Sequence, residues 1–357
     1  MLCDPAHVTG YGAVATLVDR GPCAQVALGS IRVSAGTAAV IGLQTIRQSE
    51  APSTAYLMVG ERCSHNCSFC AQARGSTSRS GFLSRVVWPI YPWRDTLEAL
   101  MAGYERGDIR RCCLQVTVSR GCVQRSSELV RDLAARMSIP ICVSIVPPGM
   151  DTVRTLLQVG AERVTIALDA ACKGAYQAAK GDGWERRLGF LRQAANEFPG
   201  RIGTHLIVGL GETERDMVMR LQEMMDRGVT VGLFAFTPVA GTKWGNEQPP
   251  PLDSYRRIQA VWYLLRTKGI RFGDLSFTTD GQILSYGLEE DRLRHLLASG
   301  VAFQTAGCPD CNRPYYNERP GKALFNYPRP LIAKEIEDAL AAVLAGRARS
   351  LGDDRRQ

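Results

Sequence analysis

Three cysteines stand at CxxxCxxC spacing in Cys63-Ser-His-Asn-Cys67-Ser-Phe-Cys70, directly after the apolar run Ala55–Val59. Three thiolates can hold three irons of a [4Fe–4S] cluster and leave the fourth iron without a protein ligand. An iron left open in this way can chelate a small molecule through an amino and a carboxylate group. Other uses of these thiols fit less well. A structural zinc site takes four ligands, usually as two pairs. Only His65 could complete such a set, from inside a loop short enough to strain the geometry. Disulfide frameworks belong to secreted chains, and the first residues, MLCDPAHVTGYG, lack the basic and apolar regions of a secretory signal.

A second pair of thiols sits in Gly307-Cys308-Pro-Asp-Cys311. A CxxC turn places two thiolates on one metal centre, and the proline fixes the turn. Two thiolates are too few for a cluster, so further ligands must come from elsewhere. Cys3 and Cys23, outside the predicted core, are candidates. A zinc knuckle completed by the same cysteines is the alternative. Arg313 and the tyrosines that follow can shape the surroundings or bind an anion. Of the remaining cysteines, Cys113 and Cys142 fall on predicted strands, and most of the others read as small buried hydrophobes. Asp169 follows the apolar run VTIAL, where a carboxylate can accept hydrogen bonds from a ribose diol or cap the next helix. His205-Leu-Ile-Val-Gly-Leu-Gly-Glu212 joins an apolar strand to Gly209 and Gly211, which allow close approach of a ligand, or simply turn the strand into a helix. His205 itself reads as a core histidine.

These residues need elements to hold them. From residue 54 the pattern alternates strand and helix. It predicts strands near 55–60, 112–118, 140–146, 163–168, 203–209, 232–237 and 271–277. Helices fall at 94–107, 126–137, 151–159, 184–197, 213–227 and 253–268, with Asp95 or Thr96 capping the first and Thr213–Glu214 opening another. The fold class is α/β: a full or partial TIM-type (β/α) barrel, whose chemistry sits at the C-terminal strand ends. A doubly wound sheet is the alternative, but its dinucleotide glycine fingerprint is absent. Residues 1–50 read as an N-terminal extension, with a short hairpin outside the core at QVALGSIRVS. Residues 51–300 form the barrel, and the long loop 74–93 closes over its site. Residues 301–346 hold the metal-binding segment and a last helix at 331–346, and 347–357 form a frayed tail.

Composition narrows the class. The 357 residues, 45% hydrophobic and 22% charged, suit a soluble globular protein with one large core or two modest ones. No apolar run is long enough to cross a membrane, and cytoplasm is the expected compartment. The net charge of +8 permits an acidic partner or an anionic cofactor. No basic helix interleaved with aromatics marks a nucleic-acid site.

The segments CSHNCSFCAQAR (63–74), IALDAA (166–171) and HLIVGLGET (205–213) resemble the radical S-adenosylmethionine (SAM) superfamily, and within it the biotin synthase group. The resemblance covers roughly residues 50–300. It implies a [4Fe–4S] cluster on Cys63, Cys67 and Cys70 that binds and cleaves SAM to a 5′-deoxyadenosyl radical. Phe69 would pack on the adenine, Asp169 would bind the ribose, and Ile207 and Gly209 would present backbone to the adenine. Cys113 and Cys142 match by order two ligands of the sulfur-donating cluster of biotin synthases. The third would fall near Gly203, where this chain has no thiol. The tail CPDCNRPYYNERPGKALFNYPRP is similar to that of the two-subunit lipoyl synthases. That likeness implies sulfur insertion into an octanoyl chain on a carrier protein or domain, with an auxiliary iron–sulfur cluster held in part by Cys308 and Cys311. It also implies a second radical SAM subunit and an electron donor such as ferredoxin or flavodoxin. A biotin synthase, maturase or mutase of the same superfamily, an RNA-modifying radical enzyme and a cluster scaffold are the competing readings.

Overall fold

Strand and helix alternate along most of the chain, and eight strands pair into a single sheet. The computed structural model describes residues 29–316, 318 and 323–353. The candidate ligands Cys3 and Cys23 lie outside the described residues. The chain begins with β1 (Ser30–Val33), α1 (Ala35–Val40) and β2 (Thr54–Val59), followed by β3 (Phe82–Leu83), β4 (Val86–Val87), β5 (Ile90–Pro92) and α2 (Trp93–Glu105). Regular alternation follows: β6 (Arg111–Val116), α3 (Cys122–Arg136), β7 (Ile141–Ser144), α4 (Met150–Gln158), β8 (Arg163–Thr165), α5 (Lys173–Lys180), α6 (Trp184–Glu197), β9 (Ile202–Val208), α7 (Glu214–Asp226), β10 (Thr230–Ala235) and α8 (Leu252–Lys268). The hairpin β11 (Ser276–Phe277) and β12 (Ile283–Ser285) leads to α9 (Glu290–Leu297) and α10 (Ala333–Asp353).

The strand order is β10-β9-β8-β7-β6-β2-β1-β5. β2 and β6 through β10 run parallel, each next to its sequence neighbour, with helices in the crossovers. This is a partial (β/α) barrel. Parallel strands are covered on both faces, so they read as unbroken apolar runs rather than alternating ones. All six residues of β2 are buried. α7 shows how helix starts are set: Thr213 accepts from the Asp216 backbone N–H, while Asp216 accepts from that of Thr213. Among the described residues, no helix is long and apolar enough to cross a membrane.

Three expectations are corrected, and two helices are added. The strand half of QVALGSIRVS does not stand outside the core. β1 pairs antiparallel with both β2 and β5, and it buries Ile31 and Val33. Residues 271–277 do not add a strand to the main sheet. Asp274 folds back on the Arg271 N–H to make a 3-10 turn, and only Ser276–Phe277 is extended, paired with β12. The N-cap of α2 is Pro92, with Asp95 in the first turn and Thr96 buried. α5 and α9, of eight residues each, escape the periodicity because two turns carry too few apolar positions to mark a face.

Candidate active site

The cysteine loop leaves the C-terminal end of β2, and its backbone is tied down from several sides. Cys63 N–H donates to Gln72 O at 3.0 Å, Ser64 N–H to Val118 O at 2.8 Å and Ser68 N–H to Ala179 O at 2.7 Å. The Arg62 guanidinium donates to the carbonyls of Ala71, Ala73, Ser76 and Ser78 at 2.7–3.3 Å. Cys70 N–H closes a turn onto Cys67 O at 3.2 Å. The three thiols lie within electrostatic reach of one another. Burial pushes Cys67 up to about 11 and Cys70 up to about 12. A metal would therefore bind in exchange for protons. Three soft sulfur donors on one pinned loop fit a [4Fe–4S] cluster with one iron open. Among the described residues, no three His, Cys, Asp or Glu side chains converge closely enough for a single ion. A four-iron cluster makes no such demand, because each thiolate binds a different iron.

Beside this loop a cavity runs down the inside of the barrel. Cys70, Phe69, Asp169 and Ile207 line it near the C-terminal strand ends, together with Leu83 and Ser84 from the loop 74–93. Ser84 Oγ donates to Tyr316 O at 2.7 Å. The exposed wall is mostly apolar, with Tyr56, Phe234, Phe236 and Tyr316 beside polar groups that include Gln115, Thr165 and Arg313. Cys113, Cys142, Cys308 and Cys311 line the same cavity. The Cys308–Cys311 turn is closed by Cys311 N–H on Cys308 O at 3.2 Å. It docks on the residues that open β2 and β6: Ser53 N–H donates to Asn312 Oδ1 at 3.0 Å and Arg111 to Pro309 O at 2.9 Å. This second group of thiols thus lies at the N-terminal ends of the strands, across the cavity from the first.

Asp169 has a left-handed φ of 69°, and its N–H donates to His205 O at 2.9 Å. Its Oδ2 accepts from Lys180 Nζ, and both side chains are buried. It does not cap α5, whose N-cap is Cys172. Burial pulls Lys180 down, but the charges of Asp169 and Cys67 and the hydrogen bond outweigh it and hold the ammonium above its usual value. Ile207 N–H donates to Asp169 O at 2.7 Å. Gly209 is not among the cavity-lining residues. It has a φ of 98°, and a Cβ there would come within 2.9 Å of Pro250. Its N–H donates to Glu212 Oε1 at 2.7 Å, and Leu210 N–H to Oε2 at 3.0 Å. Burial nevertheless lifts Glu212 to about 7. His205 also lines the cavity, edge-on to Phe234 at 5.0 Å, and burial pushes it down to about 4.

Sequence reasoning missed Lys180, Arg62 and the cavity role of His205. Arg313 was foreseen only in outline. Its guanidinium lies 4.0 Å above the Phe234 ring and donates to Leu233 O and Ala306 O. Gly232 makes room for it, since a Cβ there would fall 2.9 Å from Arg313 Nη1.

At Gly203, the place of the missing third thiol, a Cβ would fall 2.7 Å from Thr165 Oγ1 and 3.2 Å from Thr230 O. There is no room for a side chain. Gly203→Cys should lower the stability by about 1–3 kcal/mol through overpacking and add no iron, as read from urea unfolding and iron analysis. A variant of unchanged stability that gained iron would contradict this packing.

Residues 57–224 match the family profile described as Radical SAM superfamily. These residues form a radical SAM domain, and such a domain implies an enzyme that uses a [4Fe–4S] cluster and SAM. No curated protein matches the sequence. Among solved structures it is similar to HydG, a maturase of the [FeFe]-hydrogenase (13% identity, 60% of this chain and 50% of that one, TM-score 0.49). HydG from Carboxydothermus hydrogenoformans is similar at 14% identity over 60% and 51% of the two chains, with a TM-score of 0.46. Methylornithine synthase (PylB) is similar at 17% identity over 60% and 61%, with a TM-score of 0.45. The matched parts span about half to three-fifths of those chains.

Proposed function

We propose that this enzyme inserts sulfur into an unactivated C–H bond of an octanoyl chain carried on a protein or domain, as a lipoyl synthase. The observation that carries the reading is the single cavity with thiols at both ends: Cys70 of the radical loop at one, Cys308 and Cys311 at the other, and a largely apolar wall between that also carries His205 and Arg313. When bound, the [4Fe–4S] cluster and SAM supply a radical able to take hydrogen from such a carbon, and an auxiliary cluster supplies the sulfur.

The chain's own residues position and shield. Arg62 fixes the shape of the cysteine loop through its four carbonyl contacts. Phe69, Asp169 and Ile207 stand where SAM would lie against the loop, with Lys180 neutralising Asp169 from behind. Phe234, Phe236 and Tyr316 offer an alkyl chain a dry slot, and Leu83 and Ser84 limit the entry of water. His205, held neutral by burial, adds no charge to that slot. The partners implied are an octanoylated carrier, a second radical SAM subunit and a one-electron donor such as ferredoxin or flavodoxin.

The test uses anaerobically reconstituted protein labelled with heavy-isotope sulfide, given reductant, SAM and an octanoyl-lysine peptide. A thiolated peptide carrying the label is expected, with none from Cys308→Ala/Cys311→Ala. SAM cleavage with no sulfur in the peptide, alone or with the related subunit added, would overturn sulfur insertion. It would favour a single-cluster maturase or mutase.

A further inference from the structure

We propose that the auxiliary site is a four-thiolate centre built from Cys113 and Cys142 on the barrel wall and Cys308 and Cys311 on the C-terminal turn. Cys113 and Cys142 are register partners on the adjacent parallel strands β6 and β7, and both line the cavity. In-register neighbours on paired strands stand about 5 Å apart, so their thiols form two corners of one site. The turn supplies the other two. The Cys142 thiol, hydrogen-bonded to Thr165 Oγ1 at 3.1 Å, lies close enough to Cys113 and Cys308 for the three to interact electrostatically. Cys311 Sγ lies 3.3 Å from the hydroxyl of Tyr56, itself the register partner of Cys113 on β2. The docking of the turn on Ser53 and Arg111 fixes this approach.

Arg111 pairs with Glu162, and Arg163 lies near it, yet buried N–H donors on both supply an independent sign of an acceptor at this place. Arg111 Nε and Arg163 Nε are buried without a hydrogen-bond partner among the described residues. Arg163 is the register partner of Cys142 on β8, and both arginines lie against Cys308. A buried guanidinium N–H left unpaired is costly, and a cluster of thiolates and sulfides offers acceptors and negative charge at that place. Four protein thiolates would ligate every iron of a [4Fe–4S] cluster, unlike the open set at Cys63, Cys67 and Cys70. Cys3 and Cys23 are then not needed.

This inference rests on the auxiliary centre invoked under the proposed function, but its readout is metal content rather than turnover. The background is the full chain with Cys63→Ala/Cys67→Ala/Cys70→Ala, reconstituted anaerobically and measured for iron, sulfide and zinc and by Mössbauer spectroscopy. About four irons should remain. They should persist in Cys3→Ala/Cys23→Ala and be lost when Cys113→Ala/Cys142→Ala is added. With the radical loop intact, Cys113→Ala/Cys142→Ala should still load about four irons, which separates loss of the site from loss of the fold. Iron retained without Cys113 and Cys142, iron lost with Cys3 and Cys23, or zinc in place of iron would each overturn the four-thiolate site. Iron behaving as expected without sulfur transfer to the peptide would leave this site standing and overturn sulfur insertion alone.

Discussion

Lys180→Met should destabilise the fold by about 3–5 kcal/mol, because it leaves the Asp169 carboxylate buried without its cation. Among the described residues the ion pair that Lys180 makes is with Asp169: its ammonium meets Asp169 Oδ2, donates to Ala167 O at 3.3 Å and sits 5.4 Å from the centroid of the Tyr176 ring. Asp169→Asn should destabilise as well, since it strands the ammonium instead, although asparagine tolerates the positive φ that this position requires. The double variant, neutral on both sides, should recover much of the loss, so the two effects should be strongly non-additive. The consequence reaches the cysteine loop. Ser68, inside the CxxxCxxC motif, donates its N–H to Ala179 O and its hydroxyl to Ala178 O at 3.3 Å, at the end of the helix that carries Lys180. Iron loading should therefore fall in Lys180→Met and return in the double variant. Urea unfolding of the four proteins, paired with iron analysis after reconstitution, reads both. Additive single effects, or loading that ignores the pair, would mean that the ion pair neither couples to nor supports the loop.

What the sequence reveals about this site follows the range of the interactions. CxxxCxxC and CxxC each lie in one short turn, closed by one hydrogen bond between the cysteines of a CxxC step, at 67–70 and at 308–311. Residue spacing alone reports them. The strands of the parallel sheet are equally legible, because burial on both faces leaves a run such as TAYLMV without polar interruption. The meeting of Cys142 with Cys308 depends on two things that no local pattern encodes. One is the register that sets Cys113 beside Cys142; the other is the docking of a turn on Ser53 and Arg111, some 200 residues or more away in sequence. Lys180 was hidden for a related reason, since its helix is too short to announce itself and its partner lies across a left-handed turn. Residues 271–277 were misread in the opposite direction. Their apolar positions suit a strand, but Gly273 and Asp274 favour the turn that Asp274 caps.

The second large effect concerns pH, where His205 and Glu212 should oppose each other. His205 titrates near 6.5 when unfolded and near 4 when folded, because burial disfavours the imidazolium by more than the Asp169 charge favours it, with Arg313 and Lys180 adding to the downward push. Between those values the unfolded chain holds a proton that the folded chain lacks, so stability from this residue rises with pH and is lost as pH falls from 6.5 toward 4. Glu212 titrates near 4.5 unfolded and near 7 folded, because burial outweighs the bonds from Gly209 and Leu210. Here the folded chain holds the extra proton, and its contribution is present below 4.5 and lost as pH rises toward 7. Each is worth about 3 kcal/mol at full extent, so across the shared range the two slopes largely cancel in the native protein. Glu212→Gln should uncover the first, with stability climbing by about 3 kcal/mol from pH 4 to 6.5. His205→Gln should uncover the second, with stability falling by a similar amount from pH 4.5 to 7. Urea midpoints at half-unit pH steps for the three proteins decide it, and two variants that track the native curve would refute both assignments. The opposition has a place in the site, since the two residues bracket Ile207. Near neutral pH the imidazole beside the cavity is uncharged, while Glu212 is gaining the negative charge that strengthens its hold on the Gly209 and Leu210 N–H groups.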